Sequence, residues 1–354
     1  MENIAVIFGG KSVEHDVSIL TGIGIIKNLS DRYNVVPIYI DKKGKWWTSE
    51  NFKDGKTFFN KGARYECYIS NFEPTLKIKK GFRERTEKID CAILAVHGGV
   101  YEGGAVQAVL ELADIPYTSP DIMGSSLCMD KITCKQLLKS AGILTVESKS
   151  IDEDLNFPVI VKPARAGSSI GVSKVLKAEN LSGAIIDAKL FDNKVLIEEC
   201  LEDFRELNVS VMRVLGEIKV SCIEEITVGA CVFDFEDKYI KDNIKRIVPA
   251  KLDEKVQIKI EDIAKRVYEV LDLKGIIRID LFLKDEDVYV NEINTIPGSL
   301  SFYLWKDKGY SFMQMLKLLI EESKREKSLK NGIHYEYESN VLDNLGKIDR
   351  IRVK

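Results

Sequence analysis

No stretch of about 18 uncharged apolar residues occurs in the sequence, which argues against a membrane-spanning helix. Met1–Gly10 lacks the basic start and long apolar run of a secretory signal. A basic excess is missing as well. The 52 Lys and Arg face 55 Asp and Glu, a net charge of −3, whereas a general nucleic-acid or membrane-surface binder carries surplus cations. Prolines number only 8 against 45% hydrophobic and 30% charged residues, so neither disorder nor a fibrous repeat describes the main state. The seven cysteines (67, 91, 128, 134, 200, 222, 231) form no C-x-x-C, and they read as small core residues in a reducing compartment. These absences leave a soluble cytoplasmic protein with no nucleic-acid or membrane partner. At roughly 100–200 residues per domain, the chain makes two or three domains.

What is present alternates. The apolar run Ile4–Phe8 ends at Gly9-Gly10, a helix is predicted over 17–29, and apolar runs recur at 34–40 and 91–96. Strands alternating with helices predict a parallel sheet with ligands at its C-terminal ends. Residues 41–90 show no clear period and read as a surface insertion or hairpin. Strand-like 157–162 leads through the small residues Ala166–Gly171 to a further strand over 172–176. Alternating stretches at 206–226, 275–284 and 287–294, around a helix near 253–271, predict an antiparallel sheet. After Glu321 the sequence is charged and aperiodic, as in a peripheral or partly disordered tail.

Three constellations carry chemistry. Phe8-Gly9-Gly10-Lys11-Ser12 lacks the first glycine of a phosphate-binding P-loop, because Ala5 stands there; a tight strand-to-helix turn and an anion-facing helix start both account for it. The Ala166–Gly171 loop offers backbone amides and the hydroxyls of Ser168 and Ser169. Lys162 ends a buried-looking strand beside it, which suits either a phosphate site or a flexible hairpin with a snorkelling lysine. Along Arg278-Ile279-Asp280 and Glu292-Ile293-Asn294, side chains two apart share a face. A turn at 285–287 would set Asp280 opposite Glu292 and Arg278 opposite Asn294. Two facing carboxylates and an amide oxygen suit Mg²⁺ or Mn²⁺, with a solvated acidic face as the plain alternative. The charged segment 233–239 is either a solvated loop or a lid.

Taken in order, these residues resemble the ATP-grasp superfamily, and within it the D-alanine–D-alanine ligases with their D-Ala–D-Ser and D-Ala–D-lactate relatives. The similarity runs over roughly 3–325, through Phe8–Ser18, His97–Gln107, Met129–Lys131, Lys162–Gly171, Lys238-Tyr239, Arg278–Asp280 and Asn291–Gly298. It implies an α/β fold with α+β parts: a Rossmann-like N-terminal domain (1–118), nucleotide-clamping central (119–202) and C-terminal (203–325) domains, and a charged tail (326–354). It also implies ATP as co-substrate, D-alanine as substrate, two Mg²⁺ or Mn²⁺ ions, a homodimer, and a role in peptidoglycan precursor synthesis. Lys131, Lys162 and Ser169 would contact phosphates, Glu198, Glu199 and Leu201 would line the adenine, and Glu206 would hold ribose. Asp280, Glu292 and Asn294 would be the metal ligands. Glu14 would bind the first substrate's ammonium near His97, joined by Ser168 and Tyr239 in a set that closes the site with Lys238. Arg278 and the Gly298 amide would form the oxyanion hole.

The sequence departs from that family pattern at three places. Ala166 replaces a glutamate of the phosphate loop, Gly103 replaces an aspartate, and Leu300 and Tyr303 replace the threonine and serine of the acceptor loop Pro297–Trp305. Ser301 or Tyr303 would then hold the acceptor's carboxylate, with a changed acceptor preference (D-Ser, D-lactate or another amine) or a high KM for D-alanine. A nucleotide-binding regulator without catalysis is the rival from another class, and retention of Arg278, Asp280, Glu292 and Asn294 speaks against it.

Overall fold

The computed structural model describes residues 1–58, 64–149, 153–227, 245–334 and 337–339. The N-terminal part is built on β1 (Asn3–Gly9), α1 (His15–Leu29), β2 (Asn34–Ile40), β3 (Trp46–Thr48), β4 (Tyr65–Ile69), β5 (Thr75–Lys80), β6 (Arg83–Lys88) and β7 (Cys91–Leu94). Its sheet order is β6-β5-β4-β3-β2-β1-β7, and β1 pairs in parallel with both β2 and β7. Lying between parallel partners, β1 is apolar and buried from Ile4 to Phe8. The expected parallel sheet is therefore three strands wide. Of the two expectations for 41–90 the hairpin is the one seen: β3 to β6 extend the same sheet by antiparallel pairing. Its strands escaped the periodicity test because β3 is three residues long and β6, at the edge, is almost wholly exposed.

Next come α2 (Val106–Leu112), α3 (Ile122–Met129) and α4 (Lys131–Ser140), then β8 (Ser148–Lys149), β9 (Val159–Pro163), β10 (Ser173–Val175), α5 (Leu181–Lys189) and β11 (Val195–Glu199). These four strands form a sheet of order β10-β9-β11-β8, and the 166–171 loop joins β9 to β10. A third sheet, β14-β13-β12-β15-β16, is antiparallel throughout. Its strands are β12 (Arg205–Val214), β13 (Glu217–Thr227), β14 (Lys245–Ile247), β15 (Ile276–Lys284) and β16 (Asp287–Asn294). Helix α6 (Glu254–Val270) covers one face with Ile260, Ala264 and Val267. The other face carries a polar row, in which Glu224 pairs with Asn208, Asn208 with Asp280, and Asp280 with Glu292.

The last helix, α7 (Phe312–Lys330), starts at a capping box made by Ser311 and Gln314. Met315, Leu316, Leu319 and Ile320 join the core of the N-terminal sheet. This corrects the tail expectation between 322 and 330. The segment stays helical because its charges are spent on partners: Arg325 on Glu322 at 2.6 Å, and Lys327 on Asp114 at 2.8 Å. Six cysteines are described, and four of them (67, 91, 128 and 134) are buried. No helix among the described residues is long and apolar enough to cross a membrane.

Candidate active site

The β15–β16 hairpin closes through Lys284 opposite Asp287, leaving a two-residue loop with Asp285 at φ 54°. That register, continued, would set Asp280 opposite Asn291. A bulge between Asp280 and Leu281 advances it by one residue, so Asp280 faces Glu292 and Arg278 faces Asn294. Arg278 donates to both Asp280 oxygens, at 2.6 and 2.9 Å, and Asn294 Nδ2 donates to Asp280 Oδ2 at 3.1 Å. In this geometry Asn294 turns its amide nitrogen toward Asp280.

Glu14 ends the loop before α1 and meets the phosphate loop, where Ser168 donates its hydroxyl to Glu14 Oε1. Two glycines make room for this carboxylate. A Cβ on Gly98 would lie 2.5 Å from Glu14 Oε2, and one on Gly167 would lie 2.8 Å from it. Gly98 also holds φ +74°, where a side chain is strained.

A second acid ties the front of the site together. Glu102, 7% exposed, accepts from the Gly98 amide at 2.7 Å, the Thr295 hydroxyl at 3.1 Å and the Ile296 amide at 3.1 Å. Burial, followed by the neighbouring Glu14 charge, pushes its carboxyl up to about 7 despite those donors. His97 is buried, and its Nε2 is 3.0 Å from the Thr21 hydroxyl, which in turn accepts from the Ser299 amide at 3.2 Å. Burial pushes its imidazole down to about 4, so it is neutral at pH 7.

Two cavities meet here. The smaller, about 340 Å³, is lined by Glu14, His97, Ser168, Arg278 and Gly298 among others. The larger, about 650 Å³, is lined by Lys162, Ser169, Glu198, Glu199, Leu201 and Asn291 among others. Lys131, Ala166, Glu206, Ile226 and Glu292 belong to both walls. Lys131 Nζ donates to the Ala166 carbonyl at 2.6 Å and lies 3.3 Å from Glu292. Lys162 lies 2.6 Å from Glu198 and 3.2 Å from Asn291 Oδ1, the bulged residue of β16. Lys135, one helical turn after Lys131, takes the other oxygen of Glu198. Burial would raise Glu198, but Lys162 and Lys135 hold it below the usual carboxylate range. Burial pushes Lys135 down to about 8, with Glu198 opposing.

At the acceptor loop, Ser299, Leu300 and Ser301 hold φ of 48°, 51° and 49°, a left-handed turn of three L residues. Leu300 and Ser301 are buried, Ser301 is absent from both cavity walls, and its hydroxyl has no hydrogen-bond partner among the described residues. Ser301, expected to hold the acceptor, is thus placed in neither cavity wall. The left-handed turn sends its side chain into the protein and leaves Ser299 on the cavity side. Tyr303 does line the smaller cavity, and its hydroxyl donates to Glu224 at 2.8 Å. Lys238 and Tyr239 lie outside the described residues.

A family profile described as D-ala D-ala ligase N-terminus matches residues 3–120, and one described as D-ala D-ala ligase C-terminus matches 135–321. The D-alanine–D-alanine ligase of Thermosipho melanesiensis is 41% identical, covering 90% of this chain and 93% of its own length. The chain belongs to the D-alanine–D-alanine ligase family. It is thus an ADP-forming carbon–nitrogen ligase of the ATP-grasp fold. The VanG D-Ala:D-Ser ligase of Enterococcus faecalis superposes with TM-score 0.80 at 30% identity, over 91% of this chain and 99% of that one. A Bacillus anthracis D-alanine–D-alanine ligase complexed with ATP superposes with TM-score 0.69 at 28% identity, over 93% and 99%.

Within this ligase family member, sequence reasoning missed Lys135, Glu224 and Arg246, and named Glu102 and Asn291 only as parts of motifs. Lys135 left a usable signal, four residues after Lys131 on a helix whose other buried positions are apolar or small. Glu224 left none, in a strand read only by alternation, and neither did Arg246, in a three-residue strand too short to show a period.

Proposed function

We propose that this chain joins two D-alanine molecules, using ATP, to supply the dipeptide for peptidoglycan precursors. The observation that carries it is the shared wall of the two cavities. A phosphoryl group held in the larger cavity passes Lys131 and Glu292 to reach a carboxylate in the smaller one.

In the first step a carboxylate oxygen of one D-alanine bonds to the γ-phosphorus, and ADP leaves with the bridging oxygen's electron pair. In the second, the amine of the other D-alanine bonds to the acyl carbon, and phosphate leaves. Glu14, oriented by Ser168, takes the first ammonium; neutral His97, through Thr21, holds the Ser299 end of the acceptor loop. Lys131, Lys162 and Ser169 hold phosphates. Glu199 and Leu201 line the base, and Glu206 takes the ribose. Glu198, committed to Lys135 and Lys162, holds Lys162 in place. Arg278 and the Gly298 amide stabilise the oxyanion of the tetrahedral intermediate. Lys238 and Tyr239 would close over the nucleotide, and each of the three segments 1–118, 119–202 and 203–325 would form one lobe.

Among the described residues no group of three or more His, Cys, Asp or Glu stands together as a metal cage. The donor set is two carboxylates and, with the Asn294 amide turned from Asp280 so that its oxygen joins them, one amide oxygen, all hard, so Mg²⁺ or Mn²⁺ fits it once phosphate oxygens complete the shell. Asp280, Glu292 and Asn294 would hold it, and it would offset charge on the transferring phosphoryl group. A homodimer in the cytoplasm completes the proposal.

The test is D-alanine-dependent ADP release with mass analysis of the product. ADP release without D-Ala-D-Ala sinks the acceptor assignment, and no release sinks the ligase reading. Leu300, Tyr303 and the likeness to a D-Ala:D-Ser ligase favour a second reading, a different acceptor; D-serine or D-lactate competing into the product would establish it.

A further inference from the structure

Arg246 stands on the edge strand β14, opposite Ile226, and lines the smaller cavity with Asn208 and Tyr303. Among the described residues, three lysine or arginine side chains line that cavity: Lys131, Arg246 and Arg278. Lys131 is held at the boundary with the larger cavity by the Ala166 carbonyl and Glu292, at 2.6 and 3.3 Å. Arg278 spends its fork on Asp280, at 2.6 and 2.9 Å. Arg246 spends one N–H on Glu224, at 3.2 Å, and its side chain is 49% exposed. Its planar guanidinium keeps donors for a carboxylate fork.

Glu224 explains why the charge is placed here. It is fully buried and accepts from Asn208 at 3.0 Å, Tyr303 at 2.8 Å and Arg246 at 3.2 Å. Tyr303 has a single hydroxyl proton, and it goes to Glu224. The oxygen that remains toward the cavity only accepts, so Tyr303 is no donor to an incoming carboxylate. Ser301 points into the protein. Ser299 offers a hydroxyl, but no charge.

We propose that Arg246 is the anchor for the carboxylate of the second substrate, an α-amino or α-hydroxy acid, with Glu224 as the positioning residue that aims it; this rests on the ligase reading above.

The test uses the full chain and Arg246→Gln, which keeps an N–H for Glu224 while removing the charge and the fork; Arg246→Lys is the partial rescue. KM values for ATP, donor D-alanine and acceptor D-alanine are measured separately. Product is also partitioned between D-alanine and D-alaninamide, an acceptor that has the amine but no carboxylate. In Arg246→Gln the acceptor KM should rise about 10- to 100-fold, the scale of one charged hydrogen-bonded contact, and Lys should recover part of it. The preference for D-alanine over D-alaninamide should fall by a similar factor, with ATP and donor KM steady within about twofold. An unchanged acceptor KM, or an undiminished preference for the carboxylate, overturns the proposal. A rise shared equally by all three KM values also overturns it, because the ion pair then serves only the fold. Wild type that releases no ADP with D-alanine overturns the ligase reading, and the anchor with it.

Discussion

Asp280 and Glu292 face each other across β15 and β16 because Asn291 is bulged out of the ladder between them. The same bulge places Asn291 Oδ1 3.2 Å from Lys162. One irregular residue thus sets the carboxylate pair and reaches the lysine proposed to hold phosphate. Two facing carboxylates repel by up to about 1 kcal/mol when nothing lies between them. Here Arg278 and Lys131 supply the opposing charge, at 2.6 Å from Asp280 and 3.3 Å from Glu292 respectively.

Glu292→Gln should lower kcat by at least about 100-fold, the scale of losing one preorganised charge-stabilising group, with ATP binding less affected. Turnover in wild type should vanish with a chelator and return with Mg²⁺ or Mn²⁺. A variant with near-normal kcat would dismiss the metal assignment.

Glu102 carries a carboxyl pushed up to about 7 while its oxygens hold Gly98, Thr295 and Ile296. Protonation as pH falls through 7 puts a hydrogen on an oxygen that those donors face, so the contacts to the loop that carries Gly298 rearrange without loss of stability. The kcat profile should therefore decline on the acid side with a midpoint near 7, and Glu102→Gln should flatten that limb at a lower plateau. Identical acid limbs in the two proteins would assign the titration to another group.

His97 gives the opposite sign in stability. Its ring titrates near 6.5 unfolded and at about 4 folded, so the unfolded chain binds the extra proton. Its contribution is present above pH 6.5 and is lost as pH falls toward 4, up to about 3 kcal/mol at the acid end. The stability advantage of wild type over His97→Gln, measured by denaturant unfolding, should shrink between pH 7.5 and 5. Glu102, raised instead of lowered, contributes stability below pH 4.5 that is lost as pH climbs through 7. A constant gap between the two proteins would rule out the buried neutral imidazole.

Ser301→Ala should leave acceptor KM unchanged, since the hydroxyl is buried and away from the cavity. Stability should stay level or rise by up to about 1 kcal/mol, because a buried hydroxyl without a partner is removed. A raised acceptor KM would mean that the loop turns this side chain outward when substrate binds.

Alternation along Arg278–Asp280 and Glu292–Asn294 was enough to read their shared face from sequence, because side-chain direction in a strand is a local property. Their pairing came out as expected by a different route: a tighter turn than 285–287, offset by the bulge. Bulges answer to neighbours outside the hairpin, here Lys162, and leave no local pattern. The β3–β6 extension was illegible for a related reason, since edge strands such as β6 bury almost nothing and show no apolar period. The direction of Ser301 depends on three successive positive φ values in non-glycine residues, which composition gives no reason to expect. Glu224 and Arg246 became visible only once β12, β13 and β14 lay side by side.

Helix α7 has a consequence for how the chain is made. Cys91 Sγ lies 3.2 Å from Ser323 Oγ, and Met315 to Ile320 complete the packing of the core that β1 and β7 share, against α1 and β7. On the ribosome, the first strand to emerge must wait for one of the last helices before its sheet is fully covered. Until then the apolar surface reserved for α7 faces water or a chaperone. A polypeptide released early, anywhere before Phe312, would lack that cover however complete its nucleotide-clamping sheets. Quality control of such fragments would begin at the amino-terminal end, far along the chain from the break.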